Sequence, residues 1–453
     1  HYMECDTLQR RVLGLYYDDF IEHWDGMINN MAMQPPASAE ESIRQISVAA
    51  GLDSPLRHLV ETLSAETTLT KPFSGEQGEG SDQLARTLSS VNQGVAVKQQ
   101  KVSRLMRDAK KSGLLDSLGG DLGQQVERYY TPYYKLLEKR GSSSLLDRLS
   151  QDLAELSSYM DDAANSSFSS TGAIDAVQGR ISRDKTDPLA KVNSYQADMP
   201  QMMQGWLGAL GAQNWSVVLD NTKTELNQLW QSQVTYECEN FLEGRYPVKT
   251  NASSEITLED FSRFFGPDGT LDSFVNTYLR DFIDTKGRVW VEREVDGQTI
   301  GLSKVTLLQL QKANDIRETF FRNGELSVPF VMRPVRLDTE ASKFFLSIGS
   351  QEVIYRHGPR RSTAITWPSL DSDTVRLRFE GLNGTVKSST EEGPWAWFRL
   401  LNKSRLSNTD NRAVYQVNFA EEGLNASFEL RARSVINPFA EDLLSGFRCQ
   451  ESL

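Results

Sequence analysis

The sequence predicts an α+β, multidomain fold: a mainly α-helical N-terminal region followed by a C-terminal antiparallel β-sandwich. Three observations carry that reading. The chain has 453 residues, more than one ordinary core organises, so several domains are expected. Its apolar residues recur with a helical period up to about Gly324. After Leu326 the period switches to two, with turn residues at short intervals.

The first helix is expected from Leu8 onward, where Val12, Tyr16, Phe20, Trp24, Ile28 and Met31 recur at nearly every fourth position. Pro35-Pro36 ends it, and Ser38 with Glu41 opens a short capped helix that Gly51 closes. Ser54 followed by Pro55 starts the next, carrying Leu56, Leu59, Val60 and Leu63. Residues 71–94, opening on Lys71-Pro-Phe-Ser-Gly-Glu-Gln-Gly-Glu-Gly, are polar and Gly-rich and read as a mobile loop. Helical patterning resumes by Val97 and runs through Leu122, Val126, Tyr129 and Tyr133. A further stripe follows at Leu145, Leu149, Leu153, Leu156 and Met160, and Ala163 to Gly172 is again small and polar.

The longest helix is expected from Trp215 to Leu242, with Leu219, Leu226, Trp230, Val234, Cys238 and Phe241 on one face and Gly244 at its end. Three more helical pieces follow. Thr257 and Asp260 cap the first, which Gly266-Pro267 stops; Leu271 to Ile283 is the second; Ser303 to Phe321 is the third, with Leu307, Leu310, Ile316 and Phe320 inward. Strands are expected at 327–335, 343–348, 352–356, 362–366, 374–380, 414–420 and 427–433, with Trp395 to Leu401 readable as strand or helix. The domain reading is 1–213 helical, 214–325 a second helical domain, and 326–453 the β-sandwich.

Composition narrows function. The net charge is −12, and residues 326–453 hold 16 Lys and Arg against 15 Asp and Glu, so the acidity sits upstream. No basic stripe appears there, which disfavours nucleic acid as a partner. No run of 18 apolar residues exists, so no transmembrane helix is expected in this segment. No signal peptide opens the chain and His1-Tyr2-Met3 reads as an expression scar, so a soluble portion of a longer protein is expected.

Catalytic signatures are missing. There is no G-x-x-x-x-G-K-[ST], G-x-G-x-x-G, H-E-x-x-H or G-x-S-x-G. Gly266-Pro-Asp-Gly269 lacks the lysine and preceding strand of a phosphate loop and reads as a helix-ending turn. Asp18-Asp19 and Glu391-Glu392 read as solvated, and Asp371 with Asp373 as a turn without a histidine near in sequence. The chain is therefore read as not an enzyme, with no catalytic, cofactor or metal residues assigned. The three cysteines, Cys5, Cys238 and Cys449, show no CxxC, which leaves either buried thiols or one long-range bridge. Two interaction readings remain. Arg356, His357, Arg360 and Arg361 form a basic loop that is either partner-facing or an ordinary hairpin tip. Trp367, Trp395 and Trp397 are either core or a sugar-binding platform, the latter defining the alternative of a glycan-binding module on a helical stalk.

Several segments together resemble the C-terminal periplasmic region of the TssM/IcmF family of type VI secretion. They are Trp230-Gln-Ser-Gln-Val234 running into Cys238, Gly244-Arg-Tyr-Pro247, Asp260-Phe-Ser-Arg-Phe-Phe-Gly-Pro-Asp-Gly269, Leu271-Asp-Ser-Phe274 and Ala313-Asn-Asp-Ile-Arg317 with Phe320-Phe321. Gly358-Pro359, Trp367-Pro368 and the ending Asn437-Pro-Phe439 to Gly446-Phe-Arg-Cys449 continue the series, and Trp24 and Ser54-Pro-Leu56 extend it upstream. The resemblance implies a scaffold rather than a reaction. The family is anchored in the bacterial inner membrane and reaches through the periplasm to the outer-membrane lipoprotein TssJ. TssL and sister TssM subunits are the further partners in a multi-copy complex, and the lipoprotein is expected on residues 326–453. In the oxidising periplasm the resemblance also implies a Cys238–Cys449 disulfide, with Cys5 left over. The family's membrane helices and nucleoside-triphosphatase-like domain have no counterpart here, so nothing about nucleotide binding carries over.

Overall fold

The computed structural model describes residues 2–32, 34–70, 123–165, 172–182, 187–440 and 443–453. The loop expected at 71–94, the helical stretch from Val97 to Leu122 and most of the Ala163 to Gly172 stretch lie outside the described residues. The chain divides into two compact units, His1–Asn221 and Thr222–Leu453.

In the first unit, α1 is Tyr2–Asn29, α2 Ala39–Ala50, α3 Pro55–Thr67, α4 Gln124–Leu137, α5 Leu145–Asn165, α6 Gly172–Ile181 and α7 Pro188–Ser194. Ser38 Oγ accepts from the Glu41 N–H at 3.2 Å and so caps α2. The Glu41 carboxylate reaches one residue further back than a standard capping box, accepting from the Ala37 N–H at 2.9 Å. Ser54 makes no side-chain cap, so the start of α3 rests on Pro55, whose fixed φ suits the first helical position. A cap the sequence reading missed opens α5. The Ser144 N–H donates to the Asp147 carboxylate at 2.8 Å and the Asp147 N–H to Ser144 Oγ at 3.1 Å. The bond from the Ser144 N–H first, then the Arg57 guanidinium and the Ser144 side chain, hold the Asp147 carboxyl well below the usual carboxylate range.

The core of this unit takes Leu149, Leu153, Leu156 and Met160 from α5, as the stripe requires, with Leu146 buried in place of Leu145. The stripe on α1 is realised only in part. Ile28 is buried, but Val12 is 57% exposed and Tyr17 is buried where Tyr16 was expected. A strict four-residue spacing drifts about 40° per step around a 3.6-residue helix, so such a row cannot face one partner along its whole length.

Among the described residues the longest helix, α8, is Gln201–Trp230, fourteen residues earlier at its start than the reading from Trp215. At Gly211 a Cβ would meet the end of the Asn193 side chain, which would have to shift to make room.

The second unit continues from Thr222. Beyond Trp230 the chain winds through π-helical turns at Gln231–Thr235 and Cys238–Leu242, which keep Val234, Cys238 and Leu242 buried. Helix α9 is Leu258–Phe265, capped by Thr257, whose Oγ1 accepts from the Asp260 N–H at 3.0 Å. Gly266 ends it, so the Gly266 to Gly269 stretch is a turn. Helix α10, Thr270–Phe274, passes into a π turn, Val275–Leu279. Ile283 lies not in a helix but in β1, Ile283–Asp284, which pairs with β2, Val291–Glu292. Helix α11 is Lys304–Phe320 and buries Leu307, Leu310, Ile316 and Phe320.

Among the described residues nine strands follow: β3 Val328–Leu337, β4 Ala341–Ile348, β5 Gln351–Tyr355, β6 Thr363–Trp367, β7 Thr374–Gly381, β8 Val386–Glu392, β9 Arg405–Asn408, β10 Val414–Glu421 and β11 Leu424–Arg431. They pair antiparallel into a five-stranded sheet, β6-β3-β11-β10-β9, and a four-stranded sheet, β5-β4-β7-β8. The inner faces meet at Phe344 of β4, 4.7 Å from the ring of Phe428 on β11 and 5.6 Å from Phe419 on β10. Trp395 to Leu401 resolves as helix: α12 is Ala396–Lys403.

Trp395 joins the sheets to the helical segment of this unit. Its indole N–H donates to the Ile256 carbonyl at 2.7 Å, and its ring lies 5.0 Å from Phe261 and 4.9 Å from Trp367. One turn along α12, the Arg399 guanidinium pairs with Glu255 and stands 4.1 Å over the Tyr246 ring. Burial pushes the Tyr246 hydroxyl well above its ordinary pKa. Arg245-Tyr246-Pro247 is thus a structural corner with a cis Tyr246-Pro247 peptide. A disulfide joins Cys238 to Cys449, with Cα atoms 5.7 Å apart.

Candidate interaction surface

The chain between β5 and β6 carries Arg356, His357, Arg360 and Arg361, all exposed. Its shape comes from two local devices. His357 takes a left-handed φ of 58°, a conformation that costs a non-glycine residue about 1 kcal/mol or more. The histidine is held there by its Nε2, 2.6 Å from the Ala341 carbonyl oxygen. The Arg361 N–H donates to the Pro359 carbonyl at 2.9 Å, tightening the turn. His357 therefore ties the loop down, while the three arginines point outward. Among the described residues none of the three guanidinium groups forms an ion pair.

The strands on either side of this loop are both sheet edges. β5 pairs only with β4, and β6 only with β3. Gln351 on β5 covers part of the β6 edge. Its Nε2 donates to the Thr366 carbonyl at 2.7 Å and its Oε1 accepts from the Thr366 N–H at 2.8 Å. One side-chain amide thus stands in for a strand neighbour and blunts the edge against indiscriminate pairing.

The register of the four-stranded sheet extends the basic surface. Phe345 sits opposite Ile354 on one side and Arg378 on the other, and Ser347 opposite Glu352 and Arg376. Ile354 is 47% exposed, so an apolar centre lies among cations on the outer face. Lys343 and Arg378 share Glu380, at 3.2 and 3.0 Å. Sequence reasoning missed this face, although the period-two alternation of Lys343 to Ile348 and Thr374 to Glu380 encodes it.

The tryptophans do not form a platform. Trp395 and Trp397 have no exposed surface and Trp367 is 3% exposed, so no sugar ring can stack on them. Glu391 is likewise not in a solvated loop: it lies on β8 and its carboxylate pairs with Lys403. Asp371 structures its turn, accepting from the Ser350 N–H at 3.3 Å.

In the first unit, Asp18, Glu22 and Asp25 line an open groove of about 570 Å³. Asp25 is committed to packing there. It accepts from the hydroxyls of Tyr129 and Tyr130, and that bond is the leading cause pushing Tyr129 up to about 12. Among the described residues no three His, Cys, Asp or Glu side chains converge as metal ligands, and no helix is long and apolar enough to cross a membrane.

A helical region followed by an antiparallel two-sheet sandwich, with charge on edge loops and aromatic side chains inside, defines an α+β protein whose recognisable features are surfaces. Three family profiles match in sequence order. Residues 2–68 match the IcmF-related profile described as "intracellular multiplication and human macrophage-killing". Residues 221–326 match the type VI secretion protein IcmF helical domain, and residues 330–434 the IcmF C2-like domain. The chain belongs to the TssM/IcmF family of type VI secretion proteins, as a C-terminal region of it. It is 28% identical over 458 residues to the type VI secretion system component TssM1 of Pseudomonas aeruginosa. That alignment covers 99% of this chain and 40% of the relative, so the chain spans well under half of the relative's length. Two solved structures share the fold. A chain of a type VI secretion system membrane core complex aligns with a TM-score of 0.75 at 19% identity, over 98% of this chain and 84% of that one. A chain of a type VI membrane complex aligns with a TM-score of 0.70 at 18% identity, over 99% and 80%.

Proposed function

We propose that this chain is a non-enzymatic scaffold segment of a type VI secretion membrane complex, working in the periplasm and tethering the inner membrane to the outer-membrane lipoprotein TssJ. On this reading residues 1–213 and 214–325 are helical segments that provide reach, and 326–453 is the part that grips. TssL and sister TssM subunits are the other partners, and no nucleic acid is among them. The observation that carries the proposal is the loop from Arg356 to Arg361, whose arginines are exposed, unpaired within the described residues and flanked by two sheet edges. Such a surface suits an acidic, β-rich partner: exposed charge speeds and orients encounter, and strand edges and apolar centres supply the contact.

The test is binding of the purified whole chain to the immobilised lipoprotein. Changing Arg356, Arg360 and Arg361 together to Ala is expected to slow association about tenfold at low salt, with the gap narrowing as salt rises. His357→Ala is expected to act in the same direction by loosening the loop. Association rates unchanged in the triple variant at low salt would remove the loop from the interface.

A further inference from the structure

β8 is the outer strand of the four-stranded sheet: it pairs with β7 and, among the described residues, has no strand on its other side. The register fixes which of its main-chain groups are left open. The Gly381 N–H donates to the Thr385 carbonyl at 2.8 Å and the Gly393 N–H to the Asp373 carbonyl at 3.1 Å. In an antiparallel ladder alternate residues bond the same neighbour, so Lys387, Ser389 and Glu391 turn their N–H and C=O groups towards β7. Val386, Ser388, Thr390 and Glu392 turn theirs away, and all four residues are exposed. Among the described residues no side chain covers these groups as Gln351 covers Thr366 on β6. What guards this edge is charge. Lys387 and Glu391 lie on the less exposed face of the strand, where Lys387 donates to the Glu422 carbonyl and Glu391 pairs with Lys403.

These two opposite charges are placed symmetrically about Ser389, in the run Lys387-Ser-Ser-Thr-Glu391. We propose that the open edge of β8 is a docking surface for β8 of a second copy of the chain, antiparallel about a two-fold axis through Ser389. In that register Val386 faces Glu392 and Ser388 faces Thr390 of the other copy. These are the residues with open main-chain groups, so each pair closes two hydrogen bonds. Lys387 and Glu391 face each other twice, in the wider-spaced pairs whose side chains come closest. The occupant is argued from that charge complementarity, which is of the self-matching kind a two-fold contact requires. Sliding the strands by one residue puts the open groups out of phase. Sliding by two leaves each charge opposite a neutral residue, and sliding by four sets Lys387 against Lys387 or Glu391 against Glu391. The guard charges thus permit one register. An edge of seven residues is small beside the interfaces of permanent dimers, so the free chain pairs weakly and copies already held in one assembly pair far more readily. The inference rests on the multi-copy reading above for its setting and names the surface that two copies share. β8 and β5 are opposite edges of the sheet, so lipoprotein binding at the Arg356 to Arg361 loop is independent of it and the two readings fail separately.

The experiment traps the pair in the whole chain, in a Cys5→Ser background, under mild oxidation that leaves the Cys238–Cys449 bridge intact, and reads it on a non-reducing gel. Ser389 faces itself across the axis, so Ser389→Cys should give a covalent dimer about tenfold or more above Ser388→Cys, whose sulfurs fall in different pairs. Lys387→Glu or Glu391→Lys, each added to Ser389→Cys, sets like charges opposite and should cut the homodimer about tenfold. Mixed together, with one copy carrying a size tag, those two variants regain both opposite-charge pairs and should recover the dimer as a heterodimer. Ser388→Pro removes one outward N–H without touching the ladder to β7, so it should abolish trapping while the circular dichroism spectrum stays that of the parent. A Ser389→Cys dimer no more abundant than that of Ser388→Cys, or one indifferent to Lys387→Glu, overturns the proposal. So does a mixture that yields no heterodimer, and so does Ser389→Cys cross-linking to the lipoprotein in preference to a second copy.

Discussion

Reduction of the Cys238–Cys449 bridge is expected to lower the unfolding free energy of the Thr222–Leu453 unit by up to about 5 kcal/mol. The two cysteines are 211 residues apart in sequence, and in the chain-entropy account a loop of that size in the unfolded state forfeits about that much entropy when cross-linked. For a unit of this size such a loss lowers the midpoint of thermal unfolding by roughly 10–20 °C. Cys449→Ser should reproduce most of the effect, since the residue is only partly buried and its removal leaves little cavity. Thermal unfolding with and without reductant measures this directly. A midpoint that does not move would contradict the stabilisation assigned to the bridge.

Truncation of Trp395 is expected to be nearly as costly, about 3–5 kcal/mol for Trp395→Ala. The indole is fully buried, touches Phe261, Phe320, Trp367 and Phe398, and donates to the Ile256 carbonyl. Removing it opens a cavity where the sheets meet the helical segment and leaves that carbonyl without its partner. Trp395→Phe keeps most of the ring contact and should cost clearly less. Urea unfolding followed by circular dichroism separates the two variants. A Trp395→Ala protein as stable as the parent would show that the aromatic cluster does not bind the two parts of the unit together.

The β part was legible where strands have one buried face. On β7, Val375, Leu377 and Phe379 are buried and Arg376 and Arg378 exposed, and the sequence alternates to match. β8 and β9 escaped notice for the same reason turned round. Val386-Lys-Ser-Ser-Thr-Glu-Glu and Arg405-Leu-Ser-Asn are edge strands with little buried surface, so they show no apolar alternation. Helix caps at Ser38 and Thr257 could be read because their chemistry is local. The cap at Ser144, with Asp147 three residues on, follows the same local pattern as Thr257 with Asp260 and is absent from the sequence reading. The disulfide was not readable from residue spacing: three cysteines without a pattern left the pairing open, and only the likeness to a family singled out Cys238 and Cys449. Of the candidate surface, the arginine loop was visible as a charge cluster. The anchoring of His357 on Ala341 and the cover that Gln351 gives Thr366 depend on residues brought together by folding, and no local pattern announces them.

The tethering account is tested most directly by cross-linking the whole chain to the purified lipoprotein TssJ and mapping the linked peptides by mass spectrometry. It predicts saturable cross-links that fall within residues 326–453, densest around Arg356 to Arg361 and the neighbouring edges of β5 and β6, and that weaken as salt rises. Cross-links concentrated in residues 1–221, or none at concentrations where the lipoprotein is intact and folded, would contradict it.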